Sequence, residues 1–261
     1  MNAAKQFGFL FNPEWAVKQD GPVLVGFESL WLAEENHPAT ILWYIEFCSL
    51  YRYLIQFRTM FIFAYSTVID FLLRDIRIYI PKFSGMKAGD RVLDICCGTG
   101  KQALHYAKMG IIATGIDLNP GMIRMAGKNR RKQSLENVSF QMADALNLPF
   151  KDNCFDYASI SFGLHEKERA ARNKIISEMK RVVKKEGALV FVDFKAPLPR
   201  NAYSYLIKSI EFMAGREHFR YFKDYIEQGG LDELLKKNHL HEKKEGYLKD
   251  GTVAITKTRN V

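Results

Sequence analysis

The chain has 261 residues, 38 Lys/Arg against 29 Asp/Glu, and 48% hydrophobic residues, enough to bury one large core or a core with an appendage. The net charge of +9 is uneven, because residues 1–60 carry four basic and six acidic side chains and the excess falls on the remainder. Such an excess admits an anionic membrane surface, an acidic substrate or nucleic acid, and equally a basic enzyme. Four cysteines (Cys48, Cys96, Cys97, Cys154) lack metal-ligand spacing, so no metal is expected and they read as reduced, small apolar residues of a cytoplasmic protein. Glu14 and Asp20 interrupt any signal peptide, and the apolar run from Thr59 to Ile69 is shorter than the ~20 residues of a membrane span.

Residues 1–60 hold all three tryptophans and 12 of the 34 aromatic residues, and Pro13, Gly21, Pro22 and Pro38 cut their first forty positions into short pieces. From Ala39 the spacing turns helical, with Tyr44, Phe47, Cys48, Tyr51, Leu54 and Ile55 on one stripe. This segment is expected to be an aromatic helical cap or extension, serving as packing or as a lid over a greasy substrate. Residues 61–261 form the second domain. It opens on a helix from Tyr65 to Phe83, broken by Pro81, and a turn at Met86–Asp90.

Residues 91–100, Arg-Val-Leu-Asp-Ile-Cys-Cys-Gly-Thr-Gly, organise the rest of the chain. Val92, Leu93 and Ile95 predict a buried strand, Cys97–Gly100 a turn, and Lys101–Met109 a helix. A strand, a glycine turn and a helix open a doubly wound α/β domain, whose ligands bind beyond the carboxyl ends of the strands. Gly98-Thr99-Gly100-x-x-Ala103 formally fits a dinucleotide fingerprint. Asp94 argues against it, since a carboxylate there would repel a pyrophosphate. The same carboxylate would welcome S-adenosylmethionine (SAM), which carries an ammonium and a sulfonium.

The second strand, Ile111–Ile116, leads to Asp117, 17 residues beyond Gly100 and placed to accept from ribose hydroxyls, with Leu118 beside it. Pro120 suits the first turn of the next helix, Gly121–Arg131. Val138–Met142 is a third strand, followed by Ala143-Asp144-Ala145. Phe155–Ile160 is a fourth, followed by Ser161-Phe162-Gly163-Leu164-His165-Glu166. An amphipathic helix is expected over Glu166–Lys184, stopped at Lys184–Gly187, with a fifth strand over Ala188–Phe194. Strands alternating with helices imply a parallel sheet. A helix over Tyr203–Ala214 and a stretch interleaving Arg216, His218, Arg220 and Tyr221 come next, then a helix from Gly229 to Lys237. Asp250-Gly251 joins His241–Tyr247 and Thr252–Thr258 as a hairpin.

Asp94-x-Cys96-Cys97-Gly98-Thr99-Gly100 resembles the first motif of class I SAM-dependent methyltransferases. Its cysteine-bearing form is similar to the ubiquinone/menaquinone-biosynthesis C-methyltransferases. Tyr65-x₄-Asp70-x₃-Arg74-x₂-Arg77, the Asp144-Ala145 turn and Phe162-Gly163-Leu164 carry the resemblance further along the chain. It implies a Rossmann-like, doubly wound, seven-stranded mixed sheet with the last strand antiparallel, and SAM as cofactor. Asp94, Cys96, Cys97, Gly98, Thr99 and Gly100 would hold its methionine part, Asp117 and Leu118 its ribose side, and Met122, Asp144 and Ala145 its adenine. Ser161 and Phe162 would lie near its methyl. The helix bearing Tyr65 would close over the cofactor, with Tyr65 and His165 on the substrate side. A substrate-side insert at about 196–228, with Tyr203, Arg216, His218 and Tyr221, would meet a quinone precursor, phospholipid head group or other lipid-like acceptor. His165-Glu166 departs from the family's Arg-Asn pair, and His165 becomes the candidate base that removes a phenolic or enolic proton.

Three rivals stay open at this point. An RNA methyltransferase would use the basic charge, although no RNA-binding signature accompanies it. An NAD(P)-dependent oxidoreductase would use the glycine fingerprint, and a SAM-binding accessory protein would use the pocket without turnover. The sequence favours a cytoplasmic enzyme, with peripheral membrane contact left open, nucleic acid not expected, and no statement on oligomers.

Overall fold

The computed structural model describes residues 73–241 and 243–260. The aromatic extension over 1–60, and Tyr65 with the start of its helix, lie outside them. The chain divides into two units, Met1–Ile69 and Asp70–Val261, and the sheet belongs to the second.

The described helix α1 covers residues 73–84. Then come β1 (Arg91–Ile95), α2 (Lys101–Lys108), β2 (Ile112–Asp117), α3 (Pro120–Lys132), β3 (Val138–Met142), β4 (Phe155–Ser161), α4 (Arg169–Val182), β5 (Val183–Phe194), α5 (Ala202–Met213), α6 (Arg216–Glu227), α7 (Gly230–Lys237), β6 (Lys243–Leu248) and β7 (Val253–Arg259). The seven strands lie in one sheet in the order β3-β2-β1-β4-β5-β7-β6. Strands β1 to β5 are mutually parallel where they pair, and β7 runs antiparallel to both its neighbours. The mixed seven-stranded sheet with an antiparallel last strand is the architecture expected from the sequence.

Strand burial follows from that order. β1, in the middle, buries every residue from Val92 to Ile95, and β5 buries Ala188 through Phe194. Continuous apolar runs are what a parallel sheet covered on both faces requires. The strand order reverses between β1 and β4, so a crevice opens past the carboxyl ends of these two strands.

Two expected boundaries move. Helix α4 begins at Arg169 rather than Glu166, because the backbone N–H groups of Leu164 and His165 donate to Asp193 Oδ2 at 3.2 Å instead of entering a helix. Strand β5 begins at Val183 rather than Ala188. Val183 pairs with Phe155, the next residues bulge out with Glu186 at φ 69°, and pairing resumes at Ala188 with Tyr157. The stretch from Arg216 to Tyr225 is helical as α6, which separates the interleaved side chains onto different faces.

Candidate functional site

The ends of the parallel strands deliver acids to one side of the sheet. Register sets Asp94 between Gly115 of β2 and Ser159 of β4, one residue before β1 ends. Asp94 is buried, and its Oδ1 accepts from Ser159 Oγ at 3.2 Å. Ser159 in turn accepts from Tyr106 of α2 at 3.1 Å. The second oxygen, Oδ2, has no hydrogen-bond partner. Burial pushes the Asp94 carboxyl up to about 7, opposed by the Ser159 hydrogen bond, the Ala103 backbone N–H and the Arg77 charge on α1. A buried carboxylate with an unsatisfied oxygen is costly unless a cation completes it.

The glycine turn folds over this carboxylate. Cys96, Gly98 and Gly100 all have positive φ, and a Cβ on Gly98 would meet no atom within 4 Å. That open space at Gly98 is room for a ligand against the backbone. Gly100 is glycine for another reason as well: a Cβ there would lie 2.5 Å from the Phe140 ring of β3. The same ring sits under Gly115, so Phe140 wedges the loop from below. Asn129 of α3 ties the loop from the side, its Nδ2 donating to Thr99 O at 3.0 Å. Burial raises the Cys96 thiol to about 12 and keeps Cys97 protonated too, so both are apolar lining rather than nucleophiles.

Asp117 ends β2 with its carboxylate already oriented. Oδ2 accepts from Gly98 N and Oδ1 from Asn119 N, each at 2.9 Å. Each oxygen keeps a lone pair for a diol. Asn119 caps α3 by accepting from Gly121 and Met122. Asp144 stands two residues past β3 and is exposed, with Oδ1 fixed by Leu146 N at 2.9 Å. Between these acids, Leu118, Met122, Met142 and Leu146 are exposed apolar side chains; Leu118 is 66% and Met142 62% exposed. Met142 pairs with Asp117 in register, and Ala143 N donates to Asp117 O. Apolar surface flanked by two carboxylates suits a nucleoside, with the ring on the apolar side and hydroxyl and amino groups on the acids. The residues present therefore fit SAM: a cation partner in Asp94, backbone room at Gly98, and acids for ribose and adenine.

On the other side of the switch point, Phe162 follows β4 at φ 55°, and Ser161 precedes it. The Phe162 ring lies 5.4 Å from that of Phe194, and His165 lies 4.7 Å from Phe194 on the same aromatic cluster. His165 is buried. Its Nδ1 is 2.7 Å from Asp193 Oδ1, and its Nε2 is 3.6 Å from Glu211 Oε2. Burial works against charge on this ring, but Asp193 and Glu211 outweigh it and raise His165 to about 10. In the metal-free protein these two carboxylates favour the protonated ring, a form that orients or donates rather than taking a proton from the acceptor.

The substrate-side residues do not form one wall. His218 joins His165 through Glu211, with His218 Nε2 2.5 Å from Glu211 Oε2. Arg216 points to solvent from the first turn of α6. Tyr221 donates to Glu217 at 3.1 Å on its own helix. Tyr203 lies near Lys249, 5.8 Å from Nζ to ring centre. The helical period of α6 disperses what a linear reading placed side by side.

Sequence reasoning misses three residues of consequence. Asp193, at the carboxyl end of β5, carries the same signal as Asp117, an acid closing a buried strand. Glu211 is a lone acid in the apolar run of α5. Arg172, buried in α4, donates to Leu164 O at 3.1 Å, Asp224 at 2.7 Å and Tyr221 O at 2.8 Å, fastening α6 to the loop that bears His165. Nothing in its sequence position distinguishes Arg172 from the exposed Arg169 of the same helix.

Comparison with known proteins agrees with this geometry. Residues 92–187 match a protein family described as a methyltransferase domain. The demethylmenaquinone methyltransferase of Paenarthrobacter aurescens is 39% identical over 133 residues, 49% of this chain and 50% of that protein. The ubiquinone/menaquinone biosynthesis C-methyltransferase UbiE of Yersinia enterocolitica is 38% identical over 170 residues, 59% of this chain and 65% of that one. The chain thus spans between half and just under two thirds of these curated relatives. A SAM-dependent methyltransferase from Aquifex aeolicus superposes with a TM-score of 0.54 at 20% identity, covering 71% of this chain and 89% of that one, a likeness of fold. The chain resembles class I SAM-dependent methyltransferases, with demethylmenaquinone methyltransferases and UbiE among its relatives.

Proposed function

We propose that this protein transfers the methyl group of SAM to an amphipathic small molecule, a quinone-ring precursor foremost. SAM, when bound, supplies an electrophilic methyl on a sulfonium, so the protein's task is chiefly to bind and align. Asp94 and the backbone of 98–100 hold the methionine part, Asp117 holds the ribose diol, and Asp144 with Ala145, Leu118 and Met122 receives the adenine. Ser161 and Phe162 border the methyl-transfer side. Holding two reactants in line contributes on the order of 7–11 kcal/mol to such a reaction. His165, fixed by Asp193 and Glu211, orients the acceptor at an oxygen.

The observation that carries this reading is the buried Asp94, whose Oδ2 accepts no hydrogen bond, beside the open glycine bend. The quinone precursor is supported by the demethylmenaquinone methyltransferase and UbiE relatives, and by the aromatic surroundings of His165. None of the described helices is long and apolar enough to cross a membrane. Incubation of the protein with methyl-labelled SAM and a demethylated quinol tests the proposal: label enters the quinol ring fraction if it holds. Label confined to RNA, or retained in SAM with every lipid and metabolite extract, would refute it.

A further inference from the structure

His165, Glu211 and His218 come from three elements, the loop after β4, α5 and α6, and each offers one ligand atom. The three atoms lie within 4.8 Å of one another. Both imidazoles turn Nε2 toward a single carboxylate oxygen: Glu211 Oε2 is 3.6 Å from His165 Nε2 and 2.5 Å from His218 Nε2. Behind each ring, on the Nδ1 side, stands another carboxylate. Asp193 Oδ1 is 2.7 Å from His165 Nδ1, and Glu166 Oε2 is 3.7 Å from His218 Nδ1.

What marks this cluster is convergence: the Nε2 atoms of both rings face one oxygen, Glu211 Oε2, while each Nδ1 faces a carboxylate of its own. Histidines that ligate metals are held in this way, with Nδ1–H on a carboxylate and Nε2 left for the ion. Ligand bonds of about 2.0–2.2 Å at tetrahedral angles would set donor atoms roughly 3.3 Å apart. That separation falls between the shortest distance in the cluster, 2.5 Å, and its full span, 4.8 Å.

We propose that His165 Nε2, Glu211 Oε and His218 Nε2 bind a divalent transition-metal ion, Zn²⁺ above all, the ion displacing the Nε2 proton of His165 to solvent. Two imidazole nitrogens and one carboxylate oxygen suit Zn²⁺ and the late first-row ions, and disfavour Mg²⁺ and Ca²⁺, which take oxygen ligands. Three protein ligands leave a coordination position open. Its side is set by burial: His165 and Glu211 are enclosed, whereas His218 is 25% exposed and is the approach from outside. Phe194 links the site to the methyl-transfer loop, with its ring between those of His165 and Phe162. The open position therefore takes an oxygen of the methyl acceptor, and this last assignment alone rests on the proposed methyltransferase reading. Asp193, which touches His165 and not the ion, is a positioning residue.

The test is titration of the full chain, carrying no added histidines and cleared of metal by chelator, with Co²⁺. One equivalent should develop the visible absorption of four- or five-coordinate Co²⁺, and Zn²⁺ should displace it. Glu211→Gln and His218→Gln should abolish the band, and Asp193→Asn should weaken binding 10- to 100-fold. Circular dichroism and stabilisation by S-adenosylhomocysteine verify that each variant folds; His218, partly exposed, is the variant least exposed to loss of fold. Absence of the band in the wild type, or a band unchanged in the folded variants, overturns the site. Co²⁺ binding without any SAM binding leaves the site standing and sinks the methyltransferase reading. SAM binding without Co²⁺ binding does the reverse.

Discussion

Asp94→Asn separates the cost of burying a charge from its use. The folded carboxyl titrates at about 7 because burial opposes its ionisation, while an unfolded aspartate titrates near ~3.9. A raised acid pKa means that the folded state binds the extra proton, so stability falls as pH climbs between these values. At pH 8 the ionised Asp94 withdraws about 4 kcal/mol from stability, and at pH 5, where the folded carboxyl keeps its proton, about 1–2 kcal/mol. Asparagine has no such penalty, and the cost of its mismatched amide hydrogen bond does not depend on pH. The stability of Asp94→Asn relative to wild type should therefore rise by roughly 3 kcal/mol from pH 5 to pH 8. Urea unfolding at the two pH values measures this difference directly. In the same variant SAM affinity should collapse, because Asp94 is ionised to meet a cation. A relative stability that is flat with pH, or a variant that binds SAM as wild type does, would refute the reasoning.

Gly98→Ala, whose Cβ meets only open space, should cost about 1–2 kcal/mol of backbone strain at φ 53°, yet remove most S-adenosylhomocysteine affinity by calorimetry. Gly100→Ala adds a Cβ 2.5 Å from the Phe140 ring and should lose a further ~1–3 kcal/mol in urea unfolding; equal losses at the two glycines would contradict the packing described. Arg172→Gln removes a buried guanidinium whose partner Asp224 is part-exposed, and should lower stability by about 3 kcal/mol with α6 protection lost first in hydrogen exchange. For Glu211→Gln in the presence of chelator, the signs oppose at the two ends of the pH scale. The Glu211 carboxyl, despite the contrary effect of burial, is held at about 2 by His165 and His218, so its contribution is complete above ~4.5 and is lost as pH falls through 2. That of His165 is complete below ~6.5 and is lost as pH rises through 10. The variant should be most destabilised between pH 5 and 6, and a destabilisation constant from pH 3 to 10 would refute the pairing.

The fold was legible because its signals are periodic. Val92, Leu93 and Ile95 are an apolar run bounded by turn residues, and Asp250-Gly251 is a two-residue hairpin signal; both lie where expected. Asp94 and Asp117 were legible because each closes a buried strand, where a carboxylate has few structural uses. Glu211 was not, nor was the meeting of His218 with it, because their proximity depends on how α5 and α6 turn about their axes, which spacing along the chain does not encode. The same cause dispersed Arg216 and Tyr221. His165 was visible as an unusual residue, but its protonation is decided by Asp193 and Glu211, 28 and 46 positions away. Phe140 illustrates a third kind of loss: its ring dictates glycine at 100 and 115, a constraint visible only once β3 is laid beside β2.

A pocket selective for a cationic nucleoside is the centre of the proposed function. Calorimetric titration of the full chain with SAM and, separately, with NADH tests this most directly. SAM should bind one to one, with affinity falling about tenfold for each pH unit below 7 as Asp94 takes up its proton, and NADH should give no heat. Binding of NADH in place of SAM, or SAM binding indifferent to pH between 5 and 8, would contradict it.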